Sequence, residues 1–347
     1  MNSSVWFALG AAGLFGLSTP LAKLLLGSVS PVLLSGLLYL GSGIGLTVVR
    51  LWRDGGWKAS GLRTGEWRWL AGAILFGGVL GPVSLMLGLQ STAGSVASLL
   101  LNLEAVLTAV LAWVAFKENA DRRVVLGMLA IVLGGLILSW PAGGSSQAGV
   151  GWGAGLIVLA CLCWAIDNNL TRKVSASDAV FIASSKGLVA GGVNVALAVA
   201  LGEAWPTGLT AVGAMGVGLL GYGISLVLFV LALRGLGTAR TGAYFSVAPF
   251  IGALASVWWL GESVGPGYVL ACALMAFGVW LHLTERHEHE HTHEPMEHGH
   301  AHVHDEHHQH THDFEWDGSE PHVHEHTHCA LTHKHPHFPD IHHRHGH

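Results

Sequence analysis

Ten apolar runs of about twenty residues follow one another along most of this chain, at residues 5–26, 31–49, 69–89, 93–116, 124–140, 152–171, 179–201, 209–233, 241–260 and 266–283. A bilayer core about 30 Å thick needs about 20 residues of helix rising 1.5 Å each. The pattern predicts ten transmembrane helices and an all-α polytopic membrane protein. Links such as Gly27–Ser30 and Gln90–Thr92 are very short and force antiparallel neighbours.

Basic residues alternate with the links. Arg50, Arg53, Lys58, Arg63 and Arg68 follow the second run, and Lys117, Arg122 and Arg123 the fourth. Arg172 and Lys173 follow the sixth, and Arg234 and Arg240 flank the link after the eighth. The alternate links 27–30, 90–92, 141–151, 202–208 and 261–265 hold no Lys or Arg. Basic loops stay in the cytoplasm. The expectation is a bacterial-type plasma (inner) membrane protein with both termini cytoplasmic. Residues Met1–Ser4 carry no basic residue, so the first run is expected to be an uncleaved helix.

Composition agrees with the bilayer and then divides the chain. Apolar residues make up 51% and charged ones 11%, and mean hydropathy is +0.50. Up to Leu283 there are 14 basic and 9 acidic residues, whereas 284–347 holds 3 and 13. All 24 histidines lie at or beyond His282. An apolar body therefore precedes an acidic, histidine-rich tail. Cys161, Cys163 and Cys272 lie in apolar runs and read as small core residues; with Cys329 in the tail, they form no disulfide framework. Gly41-x-x-x-Gly45, Gly77-x-x-x-Gly81, Gly151-x-x-x-Gly155 and Gly187-x-x-x-Gly191 provide close helix packing.

The body repeats weakly. Phe15-Gly16-Leu17-Ser18-Thr19-Pro20-Leu21-Ala22-Lys23 aligns with Trp164-Ala165-Ile166-Asp167-Asn168-Asn169-Leu170-Thr171-Arg172 at a shift of 149. Phe116-Lys117-Glu118 aligns with Leu260-Gly261-Glu262 at 144, the shift that also relates Gly134 to Gly278. Five spans is an odd number, so the second copy runs inverted. The organisation expected is 1–140 as one five-helix repeat, 141–151 as a linker, 152–284 as the second repeat and 285–347 as a disordered tail. Inverted repeats place a solute site near the midplane and permit alternating access.

These motifs resemble the EamA group of the drug/metabolite transporter superfamily over residues 5–283. The resemblance rests on the first-helix pattern Gly16-Leu17-Ser18-Thr19-Pro20-Leu21-Ala22-Lys23, on Trp164-Ala165-Ile166-Asp167-Asn168-Asn169, and on Ala243-Tyr244-Phe245-Ser246-Val247-Ala248-Pro249 before Glu262. It implies secondary transport of small metabolites, often export. The family commonly has Pro where this chain has Ala105.

Four ionisable residues lie well inside spans: Lys23, Glu104, Asp167 and Lys186. Each costs about 2.5–3.5 kcal/mol on insertion scales unless paired or wetted. Glu104, in mid-helix, is the candidate proton carrier or cation contact; the alternative is a structural pair with Lys23 or Lys186. Asp167 either joins the pathway or bonds neighbouring helices. Lys23 could snorkel outward, and Lys186 lies about two turns from the basic face. Asn102, Asn168, Asn169 and Asn194 add hydrogen-bonding capacity. Pro20, Pro82 and Pro249 free carbonyls at depth; Pro249, near the midplane, either faces the pathway or simply kinks its helix. Glu118 and Glu262 read as interfacial.

The tail alternates histidine with acid, at His287, His289, His291, His293, His298, His300, His302, His304, His322, His324, His326 and His328. Imidazole ligates Zn²⁺, Ni²⁺, Co²⁺ and Cu²⁺, so loose, exchangeable metal sites are expected, with no cofactor required. The expected partners are the lipid bilayer and a small-molecule or cation substrate, a homodimer being open, and no nucleic acid. The function expected is secondary transport of a small organic metabolite or drug. Two further readings stay open, a divalent-metal transporter with the tail as collector and a non-transporting metal sensor. No nucleophile set or phosphate loop marks an enzyme.

Overall fold

The computed structural model describes residues 3–116, 122–140, 148–174, 177–284 and, in the tail, 288–293, 296–302, 322–328 and 331–336. Among the described residues, ten helices are long and apolar enough to cross a membrane. They are numbered here as spans 1 to 10: Ser3–Leu25, Pro31–Asp54, Thr64–Ser91, Gly94–Val114, Arg122–Ser139, Gly151–Val174, Ala179–Ala200, Gly208–Ala232, Arg240–Leu260 and Pro266–Leu283. This is the polytopic all-α architecture that the apolar runs predict. The largest departures are at the basic face, where spans 2 and 3 extend to Asp54 and back to Thr64. There amphipathic ends continue the helix beyond the apolar run.

Glycine decides which spans pair most closely. In spans 2 and 7, a Cβ on Gly43 would fall 2.6 Å from the Gly187 backbone, and one on Gly36 would fall 2.8 Å from Val195 N. The contacts run in opposite senses, so the two helices are antiparallel. Spans 5 and 10 repeat the device: a Cβ on Gly127 would meet the Gly278 carbonyl at 2.8 Å, and one on Gly278 the Gly127 carbonyl at 2.6 Å. In lipid, where apolar burial drives nothing, such close backbone approach is a principal source of helix association.

Two helices in each half are irregular, at matching places. Span 3 contains a π-helical stretch at Ile74–Leu80, and span 8 one at Leu219–Ile224. Span 4 breaks at Leu101–Asn102, between Gly94–Leu100 and Leu103–Phe116. Span 9 breaks at Ser246–Val247, before Ala248–Leu260. Each pair is related by the shift of about 144 found in the sequence. Pro82 and Pro249 each fall in the first turn of the helix that resumes after such an irregularity. A missing N–H is tolerated there. The helical run Ser225–Phe245 folds back on itself: the Phe229 and Phe245 rings lie 4.9 Å apart, against about 24 Å along a straight helix.

In the tail, β1 (Glu288–His293) pairs antiparallel with β4 (Leu331–Pro336), and β2 (Met296–His302) with β3 (His322–His328). A strict period of two suits an extended strand, and these segments zip accordingly.

Candidate functional site

The irregular helices bring polar groups together near mid-membrane. A π turn leaves backbone carbonyls off the α-helical ladder, and span 3 uses neighbours to satisfy them. The Gly77 carbonyl accepts from Tyr39 Oη at 2.7 Å and from Trp164 Nε1 at 3.0 Å. The Gly78 carbonyl accepts from Asn194 Nδ2 at 3.1 Å. Spans 2, 6 and 7 are thereby tied to one turn of span 3. Gly77 has no side chain because the Asp167 carboxylate lies where its Cβ would be.

Asp167, on span 6, is buried and held by charge. Lys186 Nζ of span 7 sits 2.6 Å from both carboxylate oxygens, and Thr171 Oγ1 donates at 2.8 Å. Side-chain exposure is 9% for Asp167 and 17% for Lys186. An ion pair this deep needs such saturation, because removing one partner from a buried pair costs about 3–5 kcal/mol.

Glu104 is differently placed. It begins the helix that resumes after the break in span 4, and it is half-buried. Asn168 Nδ2 donates to it at 2.9 Å and approaches Thr108 Oγ1 at 3.3 Å. Asn169 Nδ2 donates to the Ala165 carbonyl at 2.9 Å and reaches the Thr108 carbonyl at 3.4 Å. Among the described residues no basic side chain pairs with Glu104. The sequence alternative of a structural pair with Lys186 gives way here, since Lys186 is spent on Asp167.

A cavity of about 350 Å³ opens beside this network. Tyr39, Asn168, Thr171, Lys186 and Tyr222 are among its lining residues. Two of its lining residues, Tyr39 and Tyr222, begin a row of aromatic rings. Tyr39 and Tyr222 are 5.7 Å apart, Tyr222 and Phe15 6.0 Å, and Phe15 and Phe245 5.4 Å.

Of the residues expected on a pathway, the structure joins Glu104, Asn168 and Asn169 directly, and Asp167 to Lys186. It separates three others. Asn102 is buried in the span 4 break, donating to the Leu99 carbonyl at 2.9 Å. Pro249 starts the second segment of span 9. Lys23 lies at the face opposite the basic loops, donating to the carbonyls of Leu89 and Thr92 at 2.5 and 2.9 Å and approaching that of Gln90 at 3.3 Å. Beside it, Glu262 accepts from the amides of Gly94 and Ser95 at 2.6 and 2.8 Å. A cation thus caps the C-terminus of span 3 and an anion the N-terminus of span 4, each on the favourable end of a helix dipole. Glu118, His287 and His304 lie outside the described residues. Sequence reasoning missed Tyr39, Thr108, Thr171 and Tyr222. All four of the chain's tyrosines lie within apolar runs, so no signal in the sequence singled out Tyr39 and Tyr222.

Across the basic face, Asp178 caps span 7, accepting from Val180 N at 2.9 Å. It also receives Arg50 Nε at 3.1 Å and Arg53 Nη2 at 2.6 Å. Burial pushes the Asp178 carboxyl up, but the bonds from Arg53 and Arg50 outweigh it and hold the group below its ordinary value.

Ten spans in two irregular halves, with buried charge and a cavity between them, define a polytopic membrane transporter. The model of the EamA-like transporter family matches residues 2–140 and 151–284, five spans in each match. The chain belongs to that family. It is 27% identical over 282 residues to an uncharacterized transporter of Methanothermobacter thermautotrophicus, covering 77% of this chain and 82% of the relative. A protein of known crystal structure superposes with a TM-score of 0.60 at 19% identity, over 81% of this chain and 96% of that one. At that identity the likeness shows the fold alone.

Proposed function

We propose that this chain is a secondary transporter that moves a small organic solute outward by alternating access at the midplane site. The observation that carries the reading is Glu104. It is a carboxylate at a helix break, held by the neutral amide of Asn168, which lines the cavity, with no fixed counter-charge among the described residues. Such a group exchanges its neutralising partner, a proton or a solute, as access alternates. The basic face is the cytoplasmic one, and the cavity opens toward it, since its lining reaches Thr171 and Ala179 at the basic-face ends of spans 6 and 7. The Lys23 and Glu262 caps close the opposite face.

The test is solute counterflow in vesicles reconstituted with the full chain, using a panel of labelled organic solutes. Exchange of at least one solute, lost in Glu104→Gln, is the expected result. Exchange unaltered by that substitution at every pH would return Glu104 to a structural role.

The tail is proposed to bind Zn²⁺, Ni²⁺, Co²⁺ or Cu²⁺ loosely. In the β2–β3 ladder, His298, His300 and His302 stand opposite His326, His324 and His322. Directly opposed positions lie about 5 Å apart, closer than neighbouring histidines along one strand. Removal of 285–347 is expected to leave insertion and organic flux intact and to take bound Zn²⁺ to background, measured by equilibrium dialysis of the purified protein.

A further inference from the structure

We propose that the solute of the midplane site is an organic cation, an amine or quaternary ammonium carried on a small apolar body. This rests on the transport reading above and adds the charge of the solute to it.

The first support is a count of charge. Four ionisable residues lie deep in the spans, two of each sign, and balance at the site would follow if all four met there. They do not. The Lys23 ammonium is engaged with carbonyls at the end of span 3. The site keeps Asp167, Glu104 and Lys186, and Lys186 binds both oxygens of Asp167. One carboxylate is left over, with a neutral amide as its donor.

The second support is that an anion finds no unengaged cation among the cavity's lining residues. The cation at the cavity wall is Lys186, and an anionic solute would have to draw it from Asp167, leaving a buried carboxylate bare. At the basic end, Arg53 is already bonded to Asp54 and Asp178, and Arg50 to Asp178.

The third support is the wall itself. Tyr39 and Tyr222 line the cavity, and Phe15 and Phe245 continue the row of rings. Aromatic faces are electron-rich and attract alkylammonium groups, more strongly where water is excluded. A cation with an apolar body suits both the rings and the carboxylate that Asn168 links to the cavity wall.

The probe is phenyltrimethylammonium, compared with its uncharged isostere tert-butylbenzene and with benzenesulfonate. Binding of the labelled cation to the purified full chain is measured by equilibrium dialysis, and exchange in reconstituted vesicles. The cation is expected to bind, with neither comparator displacing it. Glu104→Gln is expected to weaken binding about tenfold or more, and Tyr222→Ala about threefold to tenfold. Glu104→Asp retains the charge and is expected to bind within about tenfold of the parent, which keeps the test decisive if the amide variant fails to fold.

Absence of cation binding would overturn the proposal. So would equal displacement by benzenesulfonate, or full binding by a folded Glu104→Gln protein. Vesicles that exchange a neutral or anionic solute but not the cation would leave the transport reading standing and remove the cation. Vesicles that exchange nothing, from a protein that binds the cation, would remove transport and leave the site.

Discussion

The two halves of this transporter share a scaffold but not its chemistry. In the first half the π turn of span 3 places Gly77 against Asp167; in the second, the π turn of span 8 places Gly221 against Ser18. Gly77 and Gly221 are 144 apart, and Ser18 and Asp167 are 149 apart, the two shifts of the sequence repeat. The same contact is therefore made twice, once with a carboxylate and once with a hydroxyl-bearing side chain. Likewise Glu104 follows the break of span 4, while the matching position in span 9 is Ala248. Duplication supplies two hinged sets of helices, and divergence leaves the charge on one of each pair. On the alternating-access reading proposed above, the symmetric frame rocks between two states and the charged copy meets the solute.

That comparison can be broken in several ways, and the largest effect is expected at Glu104. Glu104→Gln should take coupled flux to background while shifting stability by less than about 1 kcal/mol. Ser246→Ala, at the position matching Asn102 in the uncharged copy, should leave flux within about twofold. Counterflow and thermal unfolding of the same preparations read both. Equal losses from the two variants would mean that the halves share the chemistry after all.

Next comes the buried pair. Lys186→Met leaves Asp167 without its counter-charge and should cost about 3–5 kcal/mol of stability. The double variant Lys186→Met with Asp167→Asn should recover part of that loss, because no bare charge remains. Chemical denaturation in mixed micelles measures the difference, and additive losses would show that the two groups are not coupled.

A smaller contrast is expected at the paired glycines. Gly221→Ala presses a methyl 2.6 Å from the Ser18 Cβ and should cost about 1–3 kcal/mol. Gly77→Ala presses the same methyl onto the Asp167 carboxylate and should cost more, since the ion pair must shift with it. The smallest effect is at Asp178. Its carboxyl is held below its ordinary value, so its contribution is complete above that ordinary value and fades as pH falls through the lower folded one. Melting temperature against pH should therefore decline only in acid, and Asp178→Asn should flatten that part of the profile.

Much of this was legible in sequence. Ten spans follow from hydropathy, and the basic loops from their alternation, because a bilayer imposes length and charge rules that single helices obey alone. Glu104, Asp167 and Asn168 stood out as polar residues where lipid forbids them. What did not show was partnership. Nothing in the order of residues says that Lys186 chooses Asp167 over Glu104, or that Lys23, expected to turn outward, meets a pair of helix ends there. Those choices depend on how spans 1, 3, 6 and 7 pack. The π turns were also hidden, since one extra residue in a helical turn leaves no mark on an apolar run. The tail's period of two predicted neither pairing nor register.

The Glu262 cap carries a consequence for biosynthesis. The amides of Gly94 and Ser95 are made long before their acceptor, which lies 168 and 167 residues further along the chain. At about 5–20 residues per second the wait is on the order of ten seconds or more. Through that interval the nascent first half holds a helix start with no carboxylate to receive it. The halves are stitched at this face only when the ribosome has passed the ninth span, so a translational pause before Glu262 would lengthen the period in which the emerging protein is open to quality-control proteases.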